Sequence, residues 1–218
     1  MTSKTPKPHF VESAPIKSIH IDGYEVCFDP LDTPLSSIPP ALKKTYLMLL
    51  QQAQTYPKET LSKVLAFKDS CPSSPEVDNL LTYLYAQNRD IPKAESLIEE
   101  SYKKYPDYFF AKINYADQVL RKKQHAKVLE IFPSFELKDN CSSRLRYHVT
   151  EYRSFMALMS RYHLAIKQKP KAIEFYQKAH TADPAHISVI ALEKALFRSF
   201  TIKKIARRLL KLFRLKHK

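Results

Sequence analysis

Lys171-Ala172-Ile173-Glu174-Phe175-Tyr176-Gln177-Lys178-Ala179 reads as one amphipathic helix, continuing to Thr181 and stopping at Ala182-Asp183-Pro184. Ala172, Tyr176 and Ala179 fall at steps of four and three, which places them on one helical face. Proline ends the run because it lacks a donor and disfavours helix in the residue before it. Further such segments precede it: Ala41 to Gln54 and Lys58 to Lys68, broken at Tyr56-Pro57, then Pro75 to Asn88 and Ile91 to Tyr105, broken at Asn88-Arg89-Asp90. Phe109 to Lys123 and His125 to Phe132 form a third pair. Cys71-Pro72 and Tyr105-Pro106 are the same junction 34 residues apart, and each precedes a fresh pair.

Those units resemble tetratricopeptide repeats, in which small and bulky apolar residues hold fixed places and a proline closes the unit. The second unit carries Leu81, Tyr85, Ala94, Ile98 and Pro106 at the family's places 7, 11, 20, 24 and 32. The fourth carries Met159, Ala172, Tyr176, Ala179 and Pro184 at places 7, 20, 24, 27 and 32. Two units depart: the first has Met48 at place 8, Gln51 at 11 and Thr60 at 20, while the third has Val128 at 20 and Asn140 where proline belongs. The resemblance implies an all-α fold, a tetratricopeptide-like α-solenoid of about four helix pairs with a small N-terminal β-hairpin and a basic C-terminal helix. The expected divisions are an arm and connector over 1–40, repeats over 41–74, 75–108, 109–142 and 153–186, and one or more capping helices over 187–218. Residues 143–152 exceed the period. Ser142-Ser143 there is expected to cap a long helix reaching Ile166.

Before the repeats, residues 1–17 read as an irregular arm. Ser18 to Phe28 alternates on both sides of Asp22-Gly23, the signal for a type I′ hairpin. Its Ile19, Ile21, Val26 and Phe28 side should pack on the helices, and residues 29–40, with four prolines, form an extended connector.

Gly23 is the only glycine, so loops that cradle phosphate and nucleophile elbows have no residue to build them. Helices must then end on Pro, Asn, Asp or Ser rather than on glycine caps. Cys27, Cys71 and Cys141 lie far apart with no CxxC pair, which suits a reducing compartment. No apolar run has signal-peptide or membrane-spanning length, so the expected setting is cytoplasmic, with peripheral membrane association as the alternative. The histidines lack metal-ligand spacing, and no Ser or Cys has the context of an activated nucleophile. His163 reads as a satisfied interior histidine. The chain is expected to be non-enzymatic, without cofactor, metal or small-molecule substrate.

By the resemblance, a partner protein or peptide sits in the concave groove lined by the first helix of each pair. The groove places hold Leu42, Thr45, Leu49 and Gln52, then Glu76, Asn79, Tyr83 and Gln87. Phe110, Ile113, Asp117 and Arg121 follow, then Ser154, Ala157 and Arg161. The candidates for partner contact are Asn79, Tyr83, Gln87, Phe110, Asp117, Arg121 and Arg161. Thr45 and Leu49 stand where relatives that clamp a terminal carboxylate have Lys and Asn, which excludes that mode. The expected role is an adaptor or chaperone-like scaffold. Net charge is +14, and residues 187–218 hold ten Lys or Arg against one acid. Wound as a helix, 202–215 sets Ile202, Ile205, Leu209 and Leu212 against a face of Lys203, Lys204, Arg207, Arg208, Lys211 and Arg214. That face would cap the array, or bind anionic membrane or nucleic acid. Phe213 is its one aromatic, too few for base-stacking readout.

Overall fold

The computed structural model describes residues 18–29, 35–141 and 144–197. Strands β1 (Ser18–Ile21) and β2 (Tyr24–Cys27) lead into α1 (Pro40–Thr55), α2 (Pro57–Ser70), α3 (Pro75–Gln87) and α4 (Ile91–Lys104). Then come α5 (Phe109–Arg121), α6 (His125–Ile131), α7 (Leu137–Asn140), β3 (Arg146–His148), α8 (Val149–Ala165) and α9 (Lys169–Ala182). A tenth helix, α10, is described from 187 to 197. Each helix of the first pairs packs on its successor, and α3 also meets α5, as α5 meets α8. This nearest-neighbour pattern is that of a solenoid, and the fold is all-α and tetratricopeptide-like.

The pairs close in a shared way. Residues Arg89, Lys123 and Lys167 all take left-handed backbone, with φ of 64°, 60° and 64°. At each, the next residue's N–H reaches back five places: Asp90 to Tyr85, Gln124 to Val119 and Gln168 to His163, at 2.8–2.9 Å. These are Schellman turns built without glycine. At α3, α5 and α8 these turns replace the expected Pro, Asp and Ser stops, whereas α1, α2, α4 and α9 do end just before Pro57, Pro72, Pro106 and Pro184. The chain accepts a Cβ in the left-handed region because the 6→1 and 5→2 bonds and the packed following helix hold it there. The three turns lie 34 and then 44 residues apart, so the ten surplus residues fall between the third pair and the last.

Thr60, Val128, Ala94 and Ala172, at the close-approach place of the four pairs, are all buried. In the last pair Ser160 Oγ donates to the Ala172 carbonyl at 2.6 Å, so the two backbones touch where only a small side chain fits. The second helix of the third pair is broken. Here α6 stops before Phe132-Pro133, and the chain resumes as α7.

Of the described surplus residues only 149–152 are helical: they open α8, which runs to Ala165 as expected but starts later than a cap at Ser142-Ser143 would have it. Arg146–His148 is instead a third strand, parallel to β2 with Val26 opposite Tyr147, giving the order β1-β2-β3. Ser142 and Ser143, the expected cap, lie outside the described residues. His148 caps α8, its Nδ1 accepting from the Thr150 N–H while Glu151 accepts from the His148 N–H at 3.0 Å. The hairpin turns as its sequence requires, with φ of 51° at Asp22 and 82° at Gly23. Ile21 and Val26 are buried against the helices, with Ile19 and Phe28 partly so. Tyr24 and Cys27 are buried too, because β2 is the central strand.

Two apolar clusters result. One joins the hairpin and β3 to α5, α8, α9 and α10 through Tyr24, Val26, Tyr147, Tyr152 and Phe155. The other joins Leu35 and Ile38 of the connector to α1, α2 and α3. The N-terminal segment thus touches both ends of the stack. It is fastened at the near end by Ser37, whose N–H and Oγ–H both donate to the Glu76 carboxylate.

Candidate functional site

First helices of successive pairs lie side by side: α3, α5 and α8. Polar bonds tie them laterally. Asn114 Nδ2 donates to Asn79 Oδ1 at 2.8 Å, joining α5 to α3. Arg161 Nη2 meets Asp117 Oδ1 at 2.8 Å, joining α8 to α5. Arg121 contacts Asp117 at 3.3 Å and Glu95 of α4 at 3.4 Å. The structure therefore gathers Asp117, Arg121 and Arg161 into one ion-pair cluster, with Asn79 one bond further along the same face. Asp117 accepts from both cations, and Glu95 shares Arg121, so the two arginines are matched by two carboxylates.

Tyr83 and Gln87 follow Asn79 at helical steps on α3 and stay open to solvent, Tyr83 being 39% exposed. Phe110 is half-buried, its ring 5.6 Å from that of Phe109 and 5.9 Å from that of Tyr108. It faces the core as much as the groove. Four of the places assigned to the groove are instead interior: Leu49, Glu76, Ile113 and Ala157 are buried. Tight lateral packing of the first helices takes them, and Glu76, 2% exposed, lies under the chain's own connector. Periodicity located the helices but gave no sign that the connector folds back over α3.

His163 is interior as expected but only half satisfied. Its Nδ1 bonds Gln168 Oε1 at 2.9 Å, its ring stacks on Phe175 at 5.3 Å, and Nε2 has no partner. Burial lowers its pKa below the ordinary imidazole value. The three cysteines are buried, and burial pushes the Cys141 thiol up to about 11. Among the described residues no three His, Cys, Asp or Glu side chains are grouped to hold a metal ion, and no helix is long and apolar enough to cross a membrane. Lys203, Lys204, Arg207, Arg208, Lys211 and Arg214 lie outside the described residues.

No protein-family model matches the chain, and no curated protein matches it. Two solved structures are similar in shape. They are MamA 41-end from Desulfovibrio magneticus RS-1 and the MamA RS-1 ArsTM double mutant. Each is 20% identical over 80% of this chain and 94% of the other, with a TM-score of 0.44.

Proposed function

We propose that this chain is a non-catalytic scaffold that holds a segment of a partner protein along the face formed by α3, α5 and α8. The observation that carries the reading is the polar row from Tyr83 and Gln87 through the Asn79–Asn114 pair to the Asp117, Arg121 and Arg161 cluster. Carboxamides offer both donor and acceptor to a main chain, Tyr83 offers a flat contact, and the mixed charges of Asp117, Arg121 and Arg161 suit a polar segment. Such a surface is consistent with an adaptor or chaperone-like role, which we place in the cytoplasm as part of the same proposal.

The test is site-specific photo-crosslinking in cells, with p-benzoylphenylalanine placed at Tyr83, at Gln87 or, as control, at Leu65 of α2. One discrete partner captured from Tyr83 and Gln87 but not from Leu65, and released by Arg121→Ala, supports the groove. Equal capture from Leu65 removes it.

A second reading is favoured by charge alone: ten cations against one acid over 187–218. That excess suits anionic lipid or nucleic acid phosphate. It predicts vesicle or oligonucleotide binding that weakens steeply with salt and disappears on removal of 201–218. Salt-independent binding would count against it.

A further inference from the structure

A second recess lies between α4, α5 and the start of α6, with a volume of about 350 Å³. Its α5 residues Tyr115, Gln118 and Lys122 lie on average about 110° around the helix from the groove residues Phe110, Asp117 and Arg121, at about 100° per residue. It opens on another side of α5, and Glu95, which holds Lys122 here and Arg121 in the groove cluster, stands between the two.

Its walls have a definite chemistry. Tyr102 of α4 and Tyr115 of α5 stack with ring centroids 4.3 Å apart and planes at 17°, both half-exposed. Gln118 forms the floor. It is 1% exposed, its Nε2 donates to Glu99 Oε1 at 2.7 Å, and its Oε1 receives no donor. Lys122 is held by Glu95 at 3.2 Å and Glu99 at 3.4 Å. Lys103 and Lys127 line the recess, exposed, with no acidic partner among the described residues. The recess thus presents two unpaired ammonium groups on its rim and a flat aromatic wall.

We propose that this recess binds an acidic peptide segment of a partner. Carboxylates on that segment meet Lys103 and Lys127, and its apolar stems lie on the tyrosine pair. A phosphate backbone fits less well. Its charges come at every unit, so some must lie against Glu95 and Glu99 beside Lys122, whereas a peptide can space its carboxylates to meet Lys103 and Lys127 alone.

The test uses the full chain and a fluorescein-labelled peptide whose glutamates are spaced by serine and leucine, read by anisotropy at low salt. Lys103→Glu with Lys127→Glu should weaken binding about tenfold, since two exposed pairs become like-charge contacts. The control Lys44→Glu with Lys58→Glu changes net charge equally on α1 and α2 and should change affinity far less. Tyr102→Ala, which alters no charge, should also weaken binding severalfold. Changing Lys203, Lys204, Arg207 and Arg208 to Gln should leave the recess-dependent part intact. The proposal is overturned if both lysine pairs act alike, if Tyr102→Ala binds as the parent does, or if the tail changes remove all binding. Stronger binding of a single-stranded oligonucleotide that depends on Lys103 and Lys127 would overturn it in favour of nucleic acid.

Discussion

At the residue scale, Arg89, Lys123 and Lys167 each hold a conformation that disfavours a Cβ. Glycine relieves that strain but loses more entropy on folding, so the net gain is modest. Each of Arg89→Gly, Lys123→Gly and Lys167→Gly is expected to stabilise by about 0.5 kcal/mol, read from urea midpoints at constant slope. Loss of stability at all three would show that their side chains contribute more than the turn costs. His163 and His186 give a second expectation. Burial lowers both pKa values, with Lys171 adding to the effect at His163 and Arg153 at His186. The native state then binds fewer protons than the unfolded chain in the window just below pH 6.5, so stability falls on acidification through that window. His163→Gln, which cannot charge, should flatten part of that slope. An unchanged slope would place the titration elsewhere.

At the element scale, the helix pairs were legible because proline, small residues and bulky apolar residues recur at a fixed period. Ends agree within one or two residues for α1 to α6, where Pro40, Pro57 and Pro75 open helices and Asp90 caps α4. Legibility failed where a tertiary partner decides the state. Arg146–His148 is too short to announce a strand, and it becomes one only because β2 offers a free edge. The break between α6 and α7 was likewise hidden behind Phe132-Pro133, read as a simple helix end. The groove was legible as a list of helix faces but not as a surface. Depth decides which residues remain open, and Ile113 and Ala157 were lost to packing that no period reports. Enlarging the contact between α8 and α9 by Ala172→Leu is expected to cost about 1–3 kcal/mol, measured by denaturant unfolding. A neutral outcome would mean the two helices can separate at little cost.

At the scale of the whole molecule, an open stack of repeats could unravel from either end, since each pair meets only its neighbours. Here the N-terminal segment is bound to α8 and α9 through the hairpin and to α3 through Ser37 and Glu76. Ends so joined should unfold together. Removing residues 1–29 is expected to split one cooperative transition into two, with the α1–α4 end and the α5–α10 end melting separately by circular dichroism and by tyrosine fluorescence. A single coincident transition in the shortened chain would show that the stack is cohesive without its clip.

The parallel pairing of β2 with β3 also sets an order of events during synthesis. About 120 residues separate Cys27 from Arg146, and ribosomes add roughly 5–20 residues per second. The hairpin therefore emerges roughly 10 s before its third strand exists, with Tyr24 and Val26 still uncovered. Growing chains halted short of Tyr147 should recruit holdase chaperones at their N-termini, and chains halted beyond α9 should shed them.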